Sequence, residues 1–505
     1  MTDLPEQPVV RTAEGAVRGR REHGLAVFRG IPYAQPPVGA LRFAAPVRPE
    51  PWDGVREAAE FGPVVPQSGP MPADPAPGGT DWLTLNVCTP DPGAAGLPVL
   101  VWIHGGGYLS GTSGYPLYDP TALVSPGPAS AGLVVVTVNY RVGAEGFALL
   151  EGAPANRAFL DQEAALHWVR RNIEGFGGDP DLVTVAGQSA GAGSVAALMV
   201  MPSAEGLFRR AVAHSVPGNL ATPALAAEVA AALAERVGAA PTAAALAEVD
   251  PWRLASAVTD LDAELPRHLD RWGRLAQTGI ATVPVVDGEV LPDAPWAALA
   301  CGAAEGTDLL VGHTRDEFRL FTVLSGRLGT FTEEEARTAL RLLAPPPAGT
   351  EAYRAAYPDA TWEALLEAVG SDALFRMPSL HLAEANSAAG GRSYLFELAL
   401  RAAGFGGVLG ACHGLDVPLA FGTLDTPAAH QFLGDPPPAA AVEVSRQLRS
   451  AWVSFATTGD PGWPAHEEDG QLTRVLDAEA RTARYPEQAA RAIWRGHAPT
   501  AFDLT

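Results

Sequence analysis

Lysine is absent from all 505 residues, so the 35 basic side chains are arginine throughout. This excludes Schiff-base chemistry, a phosphate loop with its lysine, and hydrolases built on S-x-x-K. Cysteine is nearly as scarce. Cys88, Cys301 and Cys412 are widely separated and odd in number, which fits free thiols and neither a disulfide framework nor a zinc site. Positive charge is also in deficit: a formal net charge of −22 repels phosphates, so neither nucleic acid nor an anionic membrane is an expected partner. No apolar run reaches the roughly 18 residues a membrane helix needs. The opening "MTDLPEQPVV" lacks the basic and apolar regions of a secretory signal, and a cytoplasmic protein is expected.

With 47% hydrophobic and 18% charged residues, the chain can bury a large core. Short, continuously apolar runs recur at 97–104, 132–141, 181–187, 207–215, 308–314 and 393–400, as strands buried on both faces require. Between the second and third, "LDQEAALHWVRRNIEGFGG" carries Leu160, Ala164 and Trp168 beside Ala165, Val169 and Ile173, one apolar helical stripe. Strand, helix, strand predicts an α/β fold with a mostly parallel sheet flanked by helices. Alanine-rich stretches at 223–258 and 333–369 read as helical excursions from that sheet.

One motif stands where this framework gives it meaning. "GQSAG", Gly187 to Gly191, follows the run "DLVTVAG" and precedes "GAGSVAALMV", so Ser189 sits on a strand-to-helix turn of the G-x-S-x-G type. The pattern alone is weak, with about 0.2 chance matches expected from the 54 glycines. A serine nucleophile also needs a base, an acid to orient it, and donors for the oxyanion. Upstream, His104-Gly105-Gly106-Gly107 follows a strand and offers side-chain-free backbone N–H groups.

These segments, with "FRGIPYAQPPVGALRF", "LTLNV", "NYRVGAEGF", "GLFRRAV" and "SFATTGDPGWP" in the same order, resemble the type-B carboxylesterases almost end to end. That family includes bacterial para-nitrobenzyl esterases and the cholinesterases. The resemblance implies a single α/β-hydrolase domain over residues 1–505, with helical excursions near 220–280 and 330–390. It implies Ser189 as nucleophile, Glu317 of "RDEF" as acid and His413 of "GACHG" as base. The oxyanion would be held by Gly106, Gly107 and Ala190, and Ser215 would orient Glu317. Tyr108, Gln188, Leu320 and Phe321 match pocket positions, and Arg141 with Asp161 matches a buried ion pair. No metal or cofactor is implied, and the expected partner is a small-molecule ester.

The implied activity is hydrolysis of small uncharged alkyl or aryl esters through an acyl-enzyme. The same residues would serve an amide, a carbamate or a thioester, and a non-catalytic interaction protein is the remaining alternative. Four departures from the family pattern are visible. Gln188 stands where a glutamate usually precedes the nucleophile, and Phe318 replaces the glycine of D-E-G. Val65 and Trp82 occupy the positions of the first disulfide in eukaryotic relatives, and Trp82 is not the choline-binding tryptophan. Thr80 stands where an acid often pairs with the arginine matching Arg42.

Overall fold

The computed structural model describes residues 7–69, 78–125, 132–467 and 470–505. Part of the loop between Val65 and Trp82 therefore lies outside the described residues, as do the first six residues of the N-terminal segment. In chain order the strands are β1 (Val9–Arg11), β2 (Ala16–Arg18), β3 (Arg20–Glu22), β4 (Leu25–Pro32), β5 (Val55–Glu57), β6 (Thr84–Thr89) and β7 (Leu97–Ile103). They continue as β8 (Val134–Val138), β9 (Gly178–Gln188), β10 (Arg210–His214), β11 (Asp308–Thr314), β12 (Ser393–Leu398), β13 (Leu472–Leu476) and β14 (Arg481–Arg484).

β1, β2 and β5 make a small sheet, and the rest form one sheet in the order β14-β13-β12-β11-β10-β9-β7-β8-β6-β4-β3. From β8 through β7, β9, β10, β11 and β12 to β13 every pairing is parallel, while β6, β4, β3 and β14 extend the edges antiparallel.

The continuous apolarity of these strands has a direct cause. Alternate side chains enter two different cores: Val99, Val101 and Ile103 of β7 point to one, Leu100 and Trp102 to the other. β11 divides in the same way, with Leu309 and Val311 on one face and Leu310 on the opposite face. The helix Arg157–Asn172 covers the first face with Ala165, Trp168 and Val169, and the helix Ala439–Thr458 covers the second with Val444, Leu448 and Trp452. The first of these begins three residues before the expected Leu160. Arg157 is fully buried there, its guanidinium donating to the carbonyls of Ala144, Glu145, Ala148 and Pro154, an arrangement no charge pattern signals.

Two groups of helices lie within 223–278 and 333–388. Pro223–Val237, Ala243–Ala247, Pro251–Glu264 and Leu269–Thr278 share a separate apolar cluster. Glu333–Leu343 opens the second excursion from a capping box in which Thr332 and Glu335 satisfy each other's backbone N–H. That excursion ends in Trp362–Ser371, one π-turn at Asp372–Arg376 and the helix Met377–Ala388. No helix among the described residues is long and apolar enough to cross a membrane.

Candidate active site

The carboxyl ends of five neighbouring parallel strands converge, which is where open α/β sheets present their reactive groups. β9 delivers Ser189. Its backbone is held at φ 56°, ψ −127°, between the strand and the helix Ala190–Val200. Both motif glycines are required by space: a Cβ on Gly187 would lie 2.4 Å from the Gly191 carbonyl carbon, and one on Gly191 would lie 2.0 Å from the Ile103 oxygen. The turn is pinned by Ser189 N–H donating to the His214 carbonyl (2.9 Å) and by Gly193 N–H donating to the Ser189 carbonyl (3.0 Å).

β7 delivers the glycine loop. Gly106 (φ 117°) and Gly107 (φ 65°) adopt conformations that favour glycine, and a Cβ on Gly105 would meet the Gln188 carbonyl at 2.8 Å and Ser189 Cβ at 3.2 Å. The loop is therefore pressed against the nucleophile. Burial pushes the His104 imidazole down to about 4, so the ring is neutral and its Nδ1–H donates to the Gly105 carbonyl (2.8 Å). Tyr140 stacks on that ring and donates its hydroxyl to the His104 carbonyl (2.7 Å). The N–H groups of Gly106, Gly107 and Ala190 have no protein acceptor among the described residues.

β11 leads into Glu317, which is fully buried. Its Oε1 accepts from Ser215 Oγ (2.6 Å) at the end of β10 and from Thr314 N–H (2.8 Å), and its Oε2 faces His413 Nδ1 at 2.5 Å. Burial raises this carboxyl. The charge and hydrogen bond of His413, with the donors Ser215 and Thr314, outweigh it and hold the group below its ordinary value. Between a buried carboxylate and Nδ1, the imidazole carries its proton on Nδ1 and leaves Nε2 as a base.

The loop after β12 supplies His413. Asp316, not singled out in the sequence, joins this loop to that of Glu317. Asp316 N–H donates to the Ala411 carbonyl and Oδ2 accepts Ala411 N–H, both at 2.8 Å. A second buried pair lies beneath. Trp452 Nε1–H donates to His214 Nε2 (3.1 Å), so His214 donates from Nδ1 to Asp416 Oδ2 (2.6 Å) and ties the end of β10 to the helix following His413.

The pocket positions separate. Phe321, 38% exposed, lies 5.4 Å from the His413 ring, and Leu320 is half-buried against the second core. Tyr108 does not line an open pocket: at 2% exposure it packs on Phe147 and Phe159, because its backbone (φ 63°) turns the ring inward beneath the glycine loop. Gln188 reaches His413 instead, its amide nitrogen 3.2 Å from Nε2. The Ser189 hydroxyl makes no hydrogen bond among the described residues. Phe375, carried by the π-turn, packs 4.3 Å from the His413 ring; a lone phenylalanine in an alanine-rich helical stretch gave no signal of this.

Arg141 and Asp161 form the expected fully buried pair at 2.6 Å. Arg42 pairs with Glu145 at 2.6 Å, so its charge is met without an acid at the position of Thr80. Among the described residues no cluster of His, Cys, Asp and Glu is arranged to hold a metal ion.

A hydroxyl on a strained turn, a buried acid–imidazole pair and three unpaired N–H groups are the elements of acyl transfer. The sequence profile described as "Carboxylesterase family" matches residues 6–489. The chain is 36% identical to the para-nitrobenzyl esterase of Bacillus subtilis over 96% of its own length and 97% of that protein. It is 33% identical to the phenmedipham hydrolase of Pseudarthrobacter oxydans, covering 95% and 97% of the two chains. A solved Geobacillus stearothermophilus carboxylesterase superposes with a TM-score of 0.84 at 36% identity, over 96% of this chain and all of that one (100%). Across its length and in its fold, this chain belongs to the carboxylesterase family.

Proposed function

We propose that this carboxylesterase hydrolyses small uncharged alkyl or aryl esters through an acyl-enzyme on Ser189. The reading rests on one observation above the others: Glu317 Oε2 lies 2.5 Å from His413 Nδ1, leaving Nε2 without a proton on the side of the elbow. In this mechanism Ser189 Oγ attacks the ester carbonyl while its proton passes to His413 Nε2. Glu317 keeps the ring in the productive tautomer and offsets the imidazolium charge. The N–H groups of Gly106, Gly107 and Ala190 receive the oxyanion. His413 returns its proton to the departing alkoxide, then takes one from water as the hydroxide attacks the acyl carbon, and gives that proton to Ser189 Oγ as the acyl–oxygen bond breaks and the acid leaves.

Two aromatic rings beside the base, Phe321 and Phe375, support aryl or alkyl groups over charged ones. The match to a protein named phenmedipham hydrolase favours a second reading in which a carbamate takes the place of the ester, with the same attack. A cytoplasmic setting belongs to the same proposal, supported by three unpaired thiols. The test is labelling with a fluorophosphonate followed by a panel of acetyl, butyryl and benzoyl esters and aryl carbamates. Labelling confined to Ser189 and lost in Ser189→Ala is expected; an unlabelled Ser189 would remove the proposal.

A further inference from the structure

Resting on that reading of the site, we propose that Gln188 is a positioning residue that works through His413, its amide donating to Nε2 and holding the base neutral in the resting enzyme. Nδ1 of His413 is committed to Glu317, so the atom facing Gln188 is a lone pair, and the amide nitrogen 3.2 Å away donates to it. The contact is enclosed: Gln188 and His413 are each 6% exposed. The hydroxyl of the adjacent Ser189 makes no hydrogen bond among the described residues. The side chain before the nucleophile therefore occupies the nitrogen that must later take the nucleophile's proton.

An amide differs here from a carboxylate in a way that geometry makes consequential. Facing an unprotonated Nε2 it donates, and the ring must give up that bond to take the Ser189 proton. A carboxylate at the same place repels the lone pair and binds only the protonated ring. Gln188 thus favours the neutral base at rest without placing a fixed negative charge beside it. The other groups around His413 do not duplicate this. Glu317 faces Nδ1 from the loop after β11, and Phe321 and Phe375 present rings from the helix Arg319–Leu324 and the π-turn. Within its own loop, Asp416 is engaged by His214, and burial raises the Cys412 thiol so that it stays neutral. Asp316 turns its carboxylate to Ala411 N–H.

The experiment follows the His413 ring by NMR in histidine-labelled protein across pH 4.5–9, with the signal assigned by its loss in His413→Gln. Wild type is compared with Gln188→Met, which keeps the side-chain length without a donor, and with Gln188→Glu. A donor on the neutral ring lowers the midpoint and a nearby carboxylate raises it, so the expected order is wild type, then Gln188→Met, then Gln188→Glu. The last should stand about one pH unit above wild type. A Gln188→Met midpoint at or below that of wild type overturns the proposal, because a side chain that only fills space moves stability and not this midpoint. Fluorophosphonate labelling of Ser189 at pH 8 is run in parallel. If the wild type fails to label, the esterase reading falls, while the ring titration still decides the role of Gln188.

Discussion

Phe375 lies 4.3 Å from His413 with its ring tilted by 37°, and Phe321 stacks parallel to Phe375 at 5.8 Å. The two phenylalanines make one apolar wall against the base, but they are unequally placed. Phe321 is open to solvent and Phe375 is 6% exposed. Phe321→Ala should raise KM for benzoyl or phenyl esters about tenfold and leave methyl acetate within about twofold, since only the aromatic substrate loses a ring contact of about 1 kcal/mol or more. Phe375→Ala should in addition cost about 3 kcal/mol of stability through the cavity it leaves. Steady-state kinetics with both substrates and a thermal melt separate the two.

Ser215 holds the acid rather than the substrate. Its hydroxyl is one of two donors to Glu317 Oε1, and its own backbone is held at φ 56° to reach it. Ser215→Ala should lower kcat about tenfold with KM little changed, the signature of a loosened Glu317–His413 pair, because a neutral donor to a buried carboxylate contributes on the order of 1–2 kcal/mol. A change in KM alone would contradict this role.

Asp262, on the helix Pro251–Glu264, predicts a pH effect of defined sign. Burial pushes its carboxyl up to about 7, against one hydrogen bond from Ala281 N–H at 2.7 Å. The unfolded chain ionises this group near 4, so folded stability is unaffected below that pH and falls as pH rises from 4 towards 7. Asp262→Asn keeps the acceptor and removes the charge. It should match wild type at pH 4 and be more stable at pH 8, by about 1–3 kcal/mol after allowing for the residual solvent exposure of this partly buried side chain. Urea unfolding at the two pH values measures the difference.

Arg141 and Asp161 offer a test of the core beneath. Asp161 accepts from the guanidinium Nε and Nη2 and from Arg141 N–H, with both side chains fully enclosed. Asp161→Asn leaves a buried charge without its partner and should cost about 3–5 kcal/mol. Loss of soluble protein at 37 °C, or a melt lowered by several degrees, is the expected result.

Several parts of this arrangement were legible in the sequence, for physical reasons that can be named. β7 and β11 show as continuous apolar runs because each feeds two cores. Gly187 and Gly191 are legible because no other residue fits within 2.4 Å of backbone. Ser189 announces itself through those glycines, whereas Glu317 and His413 do not; one acid among 57 Asp and Glu residues and one histidine among 11 become visible only through ordered resemblance. Contacts between distant loops left no local trace. The Asp316–Ala411 clasp, the His214–Asp416 pair and Phe375 join positions 95, 202 and 38 residues apart, and no periodicity spans such distances. Tyr108 shows the converse, since a family position says which residue is present and a positive φ decides where its ring points.

The convergence of five strand ends has a consequence for how the protein acquires its reactivity. Gln188 and His413 are 225 residues apart in the chain, and Glu317 is 96 from His413. Ser189, Ser215, Glu317 and His413 follow β9, β10, β11 and β12, four consecutive ribbons that must all be in register before the constellation exists. Contacts of such separation form late, after long loops have closed. A nascent or partly folded chain therefore holds an unactivated serine alcohol, and hydrolysis begins only when the sheet is complete. Onset of activity during refolding is accordingly a clock for the pairing of β12 onto β11.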